Sequence, residues 1–179
     1  MIRRDQFEVW VPFPLERVFL FFANPKNLPR IMPPASGARI DALRLGEPSR
    51  SPPSAETDLL RTLAGVGSEI ATSFRILPPL PFRARWIARV TEFEWNRYCA
   101  DIQVKGPFKS WHHRHEFAAE LRDGINGTVV RDRIEYEIGF GVVDRVAQKL
   151  FVERQMARTF AHRQRILEEL LRAEDRNAA

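Results

Sequence analysis

The segment from Val142 to Arg172, "VVDRVAQKLFVERQMARTFAHRQRILEELLR", contains neither proline nor glycine. Val143, Val146, Leu150, Phe160, Leu167 and Leu171 fall near one helical stripe, and arginine and glutamate occupy much of the rest. About 30 helical residues rising 1.5 Å each make a rod of ~45 Å. A rod that long must lie across something large. The remainder of the chain has to supply that surface.

Most of the remainder alternates as strands do. "FEVWV" reads as a first strand. Pro14 then opens a helix carrying Leu15, Val18, Phe19 and Phe22, and Asn24 with Pro25 starts a second short helix. "ARIDALRL" predicts a second strand. The Pro/Ser-rich stretch from Gly46 to Asp58 has no apolar period and predicts a surface loop. Beyond it, "GSEIATSFRI", "FRARWIARVTEF", "NRYCADIQVK", "SWHHRHEFAAEL" and "TVVRDRIEYEI" alternate in turn, separated by short connections such as "GPFK" and "RDGING". Short connections predict a meander of antiparallel pairs. The expected class is therefore α+β: a curved antiparallel sheet of about seven strands around a long C-terminal helix, with two short helices after strand 1. Because a twisted sheet curves away from a straight rod, a cavity can remain between them.

The 179 residues predict one domain spanning 1–179, with a disordered tail at 174–179. Of these, 44% are apolar and 28% charged, the balance of a globular chain. The net charge of +5 comes almost wholly from arginine, and 23 acids are interspersed with it. A basic surface that docks a macromolecule is one reading, centred on Arg154–Arg165 and on Arg131–Arg133. The mixed pattern favours an ordinary solvated surface, and nucleic acid is not an expected partner. The single cysteine, Cys99, excludes an intrachain disulfide and reads as a structural thiol. No apolar run approaches the ~18 residues of a membrane span, and the N-terminus lacks a signal-peptide core. Cytoplasmic residence is expected, as a monomer or weak homodimer.

The chemistry-bearing residues concentrate in "SWHHRHEF", which holds three of the four histidines. If Leu121 sits opposite Thr128, then Phe117 faces Asp132, His115 faces Ile134 and His113 faces Tyr136. One face then carries Trp111, His113, His115 and Phe117 with Asp132, Ile134 and Tyr136. The other face carries Arg114, Glu116, Arg131, Arg133 and Glu135, set for cross-strand ion pairs. The apolar face is the inner one, so His113, His115, Asp132 and Tyr136 become polar groups in an apolar setting. Four readings stay open. They are ligand-orienting groups, an acid–base pair of His115 with Asp132 assisted by Tyr136, a buried hydrogen-bond network, or a metal site. For the last, His113 and His115 share a face and Asp132 could be a third ligand only if the register brings it to them, and neither metal nor cofactor is assigned. Trp86 and Trp111 are expected in the core or the pocket lining. The hairpins on either side of Asp101 and Gln103 disagree about their facing, which a β-bulge would reconcile.

The segments "LERVFLFFANPKNLPRIMPP", "RWIARVTEFEWNRYCADIQVKGPFKSWHHRHEF" and "GTVVRDRIEYEIGFG" resemble the START/Bet v 1-like (SRPBCC) superfamily, in its ligand-binding and polyketide cyclase/dehydrase-like bacterial branch. The likeness extends over nearly the whole chain. It implies a helix-grip fold around a hydrophobic cavity, and it favours a functional role for Asp101 and Gln103. The expected function is binding of a small hydrophobic or amphipathic molecule between sheet and helix, through Trp86, Trp111, His113, His115, Asp132, Tyr136, Asp101 and Gln103. The alternatives are a cyclase or dehydratase with His115, Asp132 and Tyr136 as catalytic candidates in the same cavity, or the basic docking module.

Overall fold

The structure, a computed structural model, describes residues 2–46, 60–75, 81–139 and 145–178. Most of the expected 46–58 loop, and the stripe position Val143, lie outside the described residues, as do the side chains of Val146 and Leu150. Strand β1 (Arg3–Val11) leads into helix α1 (Leu15–Ala23) and the short helix α2 (Leu28–Ile31). Then come β2 (Arg39–Arg44), β3 (Glu69–Arg75), β4 (Arg83–Glu94), β5 (Tyr98–Lys105), β6 (Phe108–Arg122) and β7 (Ile125–Ile138). Helix α3 (Arg145–Ala178) closes the order. It runs through positions 174–178, where the composition had suggested a disordered tail.

The local signals behave as their chemistry requires. Asn24 Oδ1 accepts a hydrogen bond from the Lys26 amide at 3.1 Å and caps a 3₁₀ turn that begins at Pro25. Val18, Phe19 and Phe21 of α1 are buried against Phe117 and Val130 of the sheet and Leu167 and Leu171 of α3. A second cluster joins Ile134 and Tyr136 to Met156 and Phe160 of α3.

The strands form one antiparallel sheet in the order β1-β7-β6-β5-β4-β3-β2. From β2 to β7 each strand pairs with its sequence neighbour, as the short connections require. The first strand instead pairs with the last, Phe7 opposite Asp132 and Val11 opposite Thr128. This leaves β1 and β2 as the two edges.

The β6–β7 hairpin departs from the expected register by two residues. Leu121 lies opposite Asn126, Phe117 opposite Val130, His115 opposite Asp132 and Trp111 opposite Tyr136. The cause is the turn. Arg122 pairs with Ile125, leaving only Asp123 and Gly124 in the loop, both at positive φ (51° and 76°). That is the mirror-image turn favoured by a two-residue hairpin, and Asp-Gly suits it. The strand therefore resumes at Ile125 and includes Gly127. A Cβ at Gly127 would lie 2.4 Å from the Trp10 ring, so a side chain there is excluded. A shift of two preserves which face each residue occupies. The inner and outer sets stand as expected, but the directly opposed pairs change.

On the outer face Arg133–Glu116 at 3.2 Å forms within the expected set, and Arg131 and Arg114 make their shortest pairs with other strands, with Glu8 of β1 at 2.7 Å and Glu92 of β4 at 2.8 Å. Glu69 pairs with Arg89 at 2.7 Å and Arg44 at 3.3 Å.

Candidate functional site

Between the inner face of the sheet, the α1–α2 segment and α3 lies a cavity of about 560 Å³. Its wall is mostly apolar. Trp86, Trp111 and Phe108 form one end, with the two indoles edge to face at 5.0 Å and Phe108 5.0 Å from Trp111. Phe22, Met156 and Phe160 come from the helices. Asp101 of β5, His113 and His115 of β6, and Arg163 of α3 cluster at one place on the wall; Thr72, Arg75, Gln155 and Thr159 are among its other polar residues.

The register explains the cluster. His115 and Asp132 are directly opposed across β6–β7, and His113 and Asp101 across β5–β6. Directly opposed residues share a face. Irregularities in the β4–β5 pairing, between Ile87 and Ala88 and between Val90 and Glu92, reconcile the two neighbouring hairpins. Asp101 thereby faces inward.

Asp132 sits behind both histidines, 5% exposed, and does not reach the cavity wall. Its Oδ1 is 2.9 Å from His113 Nε2, 2.5 Å from His115 Nδ1 and 3.9 Å from Arg163 Nη2. Burial opposes its ionisation, but Arg163 and the two histidines outweigh that and hold the carboxyl well below the usual range. Burial, reinforced by His115, pushes His113 down despite the pull of Asp132 and Asp101. Burial pushes Asp101 up, against His113, His112 and Arg163.

These directions define a protonation pattern. An ionised Asp132 is an acceptor only, so a neutral His113 carries its proton on Nε2. Its Nδ1 then presents a lone pair toward Asp101, whose Oδ2 is 3.9 Å away. A base oriented by one carboxylate and facing a carboxyl that favours its neutral form can exchange protons with a bound molecule. Asp101, His113 and His115 also offer donor atoms within 4.8 Å of one another, through which a divalent cation could be held. The adjacent Arg163 charge opposes that use. Cys99, opposite His115, lines the cavity as a neutral thiol, because burial pushes it far above its ordinary value.

Trp86, Trp111, His113, His115 and Asp101 are thus brought together on the wall. Three expected residues are not. Asp132 supports the histidines from behind. Tyr136 is fully buried beside Phe108 and Trp111, and its hydroxyl donates to Asp5 Oδ2 at 3.2 Å. Burial and the Asp5 carboxylate push its phenol up to about 12, so it is a structural hydroxyl. Gln103 braces the β5–β6 turn. Its Nε2 donates to the Phe108 carbonyl at 2.7 Å, and its Oε1 accepts from the Phe108 amide at 3.2 Å.

Arg163 falls within the segment that the sequence reads as a solvated basic face. It is instead 9% exposed, with its guanidinium 4.7 Å from the Phe160 ring centre. The signal was present: Met156, Phe160, Arg163, Leu167 and Leu171 follow one another at intervals of three and four. On a helix that is a single stripe.

An antiparallel sheet wrapped against one long C-terminal helix, with a cavity between, defines a helix-grip protein. Solved structures agree in fold. The Zhui aromatase/cyclase of Streptomyces sp. R1128 superposes with a TM-score of 0.69 at 14% identity, covering 100% of this chain and 99% of that one. A Thermus thermophilus protein, TTHA0849, gives 0.63 at 16% identity, covering 96% and 99%. A START superfamily protein of Mycobacterium smegmatis gives 0.62 at 13% identity, covering 95% and 97%. No curated protein matches the sequence at a significant level. Residues 11–165 match the polyketide cyclase / dehydrase and lipid transport family, and the chain belongs to that family. Among the described residues no helix is long and apolar enough to cross a membrane.

Proposed function

We propose that the chain binds one small hydrophobic or amphipathic molecule in the cavity between sheet and α3. The carrying observation is the cavity itself. About 560 Å³ lies within the ~300–1,000 Å³ typical of small-molecule sites. A mostly apolar wall with one cluster of buried titratable groups suits a greasy body with one polar handle. In this reading Trp86 and Trp111 hold the body, and Asp101, His113 and His115 orient the handle. Membership in a family that includes lipid transport supports it. Native mass spectrometry of freshly purified protein is the test. A retained small molecule, released by denaturation and absent from an Ala88→Phe variant whose new ring fills the cavity, is expected. Retention unaffected by Ala88→Phe would place the molecule elsewhere.

A second reading has its own observation, the His113–Asp132 pair facing Asp101. His113 Nδ1 would remove a proton beside a ligand carbonyl, and Asp101, in its protonated form, would donate to the oxygen that becomes an enol. That suits the cyclase or dehydrase side of the family name. His113→Gln and Asp101→Asn should then abolish turnover of a β-dicarbonyl substrate while retaining its binding. Unchanged turnover would exclude these roles.

A further inference from the structure

Arg163 places a permanent charge in the cavity wall without satisfying it. Its Nε is buried with no hydrogen-bond partner. Its ion-pair partner, Asp132 Oδ1, is 3.9 Å from Nη2, beyond hydrogen-bonding distance. That oxygen is already approached by both histidines, at 2.9 and 2.5 Å. Two rings also adjoin the guanidinium, its carbon 4.7 Å from the Phe160 centre and 5.9 Å from the Phe22 centre, and a ring face offers a cation attraction but no in-plane acceptor. A guanidinium carries five in-plane donors; here Nε is buried and unpaired, which is costly, and Asp132 stands too far from Nη2 for a hydrogen bond. An acceptor is therefore missing from the cavity side.

The electrostatics select its charge. Asp132 lies behind the wall, while the buried Arg163 and the exposed Arg75 lie on it, so the full charges that meet a guest are positive, and Arg163 is the one that stands beside the histidines. The carboxyl on the wall, Asp101, is pushed up by burial, which lessens its opposition to an anion. A planar fork between two aromatic rings matches a planar, two-oxygen anion.

We infer that the guest is a carboxylate-bearing amphipath, its carboxylate held by Arg163 and its apolar body against Trp86 and Trp111. This rests on the binding reading above and adds the chemical class of the ligand. The test is calorimetric titration at neutral pH with naphthoic acid and naphthamide, which differ only in carboxylate against neutral amide. A charge-assisted hydrogen bond corresponds to roughly 10- to 100-fold in affinity. The wild type is expected to prefer naphthoate by at least about 10-fold, on the low side of that range. Arg163→Met should bring the two probes within about 2-fold, the scatter expected without a charge contact, while naphthamide affinity holds. Arg158→Met, on the exposed side of α3, should leave the preference intact.

Because removing Arg163 strands Asp132, the double variant Arg163→Met/Asp132→Asn removes both charges and should lose the preference too. Equal binding of both probes by the wild type would overturn the inference and leave the binding reading standing. A preference that survives Arg163→Met would overturn it as well. Binding of neither probe would count against both.

Discussion

The β6–β7 hairpin carries two clusters of ionisable groups, one on each face. Outside, Arg114, Glu116, Arg131 and Arg133 interlock in water. Inside, His113, His115 and Asp132 meet Arg163 out of water. The outer charges have alternative partners and solvent, so no one of them matters much. The inner charges were desolvated on folding and each depends on the others. The same hairpin is thus permissive on one side and exacting on the other. The exacting side faces the cavity.

The largest expected contrast is Asp132→Ala. It leaves the Arg163 charge buried without a counter-charge and should cost ~3–5 kcal/mol of unfolding free energy in urea. A loss under about 1 kcal/mol, the range of exposed pairs, would show that the inner cluster is wetter than its burial implies.

Acid titration comes next. Because burial and His115 hold His113 down, the unfolded chain takes up its proton first. Stability is therefore full above the unfolded value near pH ~6.5 and declines as pH falls toward the folded value. The slope approaches about 1.4 kcal/mol per pH unit for one group. Asp132, held down, contributes stability above its unfolded value near pH ~3.9 that is lost as pH falls through the folded one. Asp101, held up, contributes in the opposite sense: its stabilisation is present below ~3.9 and lost as pH rises through its folded value. Thermal melts from pH 8 to 5 should slope for the wild type and flatten for His113→Gln. Parallel curves would remove His113 as the source.

Tyr136→Phe should cost ~1 kcal/mol through the lost bond to Asp5 and leave ligand affinity unchanged. A large affinity loss would return Tyr136 to the cavity wall. Smallest of all, Glu116→Ala should cost less than about 1 kcal/mol by urea melt, because its arginine partners keep solvent and other acids.

Much of this was legible in the sequence. Alternation assigns a residue to a face whether or not the register is right, so His113, His115 and Asp132 emerge on the inside despite a two-residue slip. The slip itself was hidden because "RDGING" contains two glycines and only Gly124 makes the turn. Gly127 answers to Trp10, a residue more than a hundred positions away. Tyr136 and Gln103 share the right face, but facing inward is not reaching the cavity. Asp5 on the neighbouring strand captures one, and the β5–β6 turn captures the other. Arg163 was obscured by its residue type. An arginine among arginines reads as surface, although its place on the Phe160–Leu167 stripe puts it inside.

The central claim is that the space between sheet and helix is a binding site, and titration with the neutral fluorophore N-phenylnaphthylamine tests it most directly. One saturable site, with fluorescence enhanced on entry to an apolar environment and abolished by Ala88→Phe, is predicted. No saturable binding, or binding indifferent to that filling substitution, would contradict it.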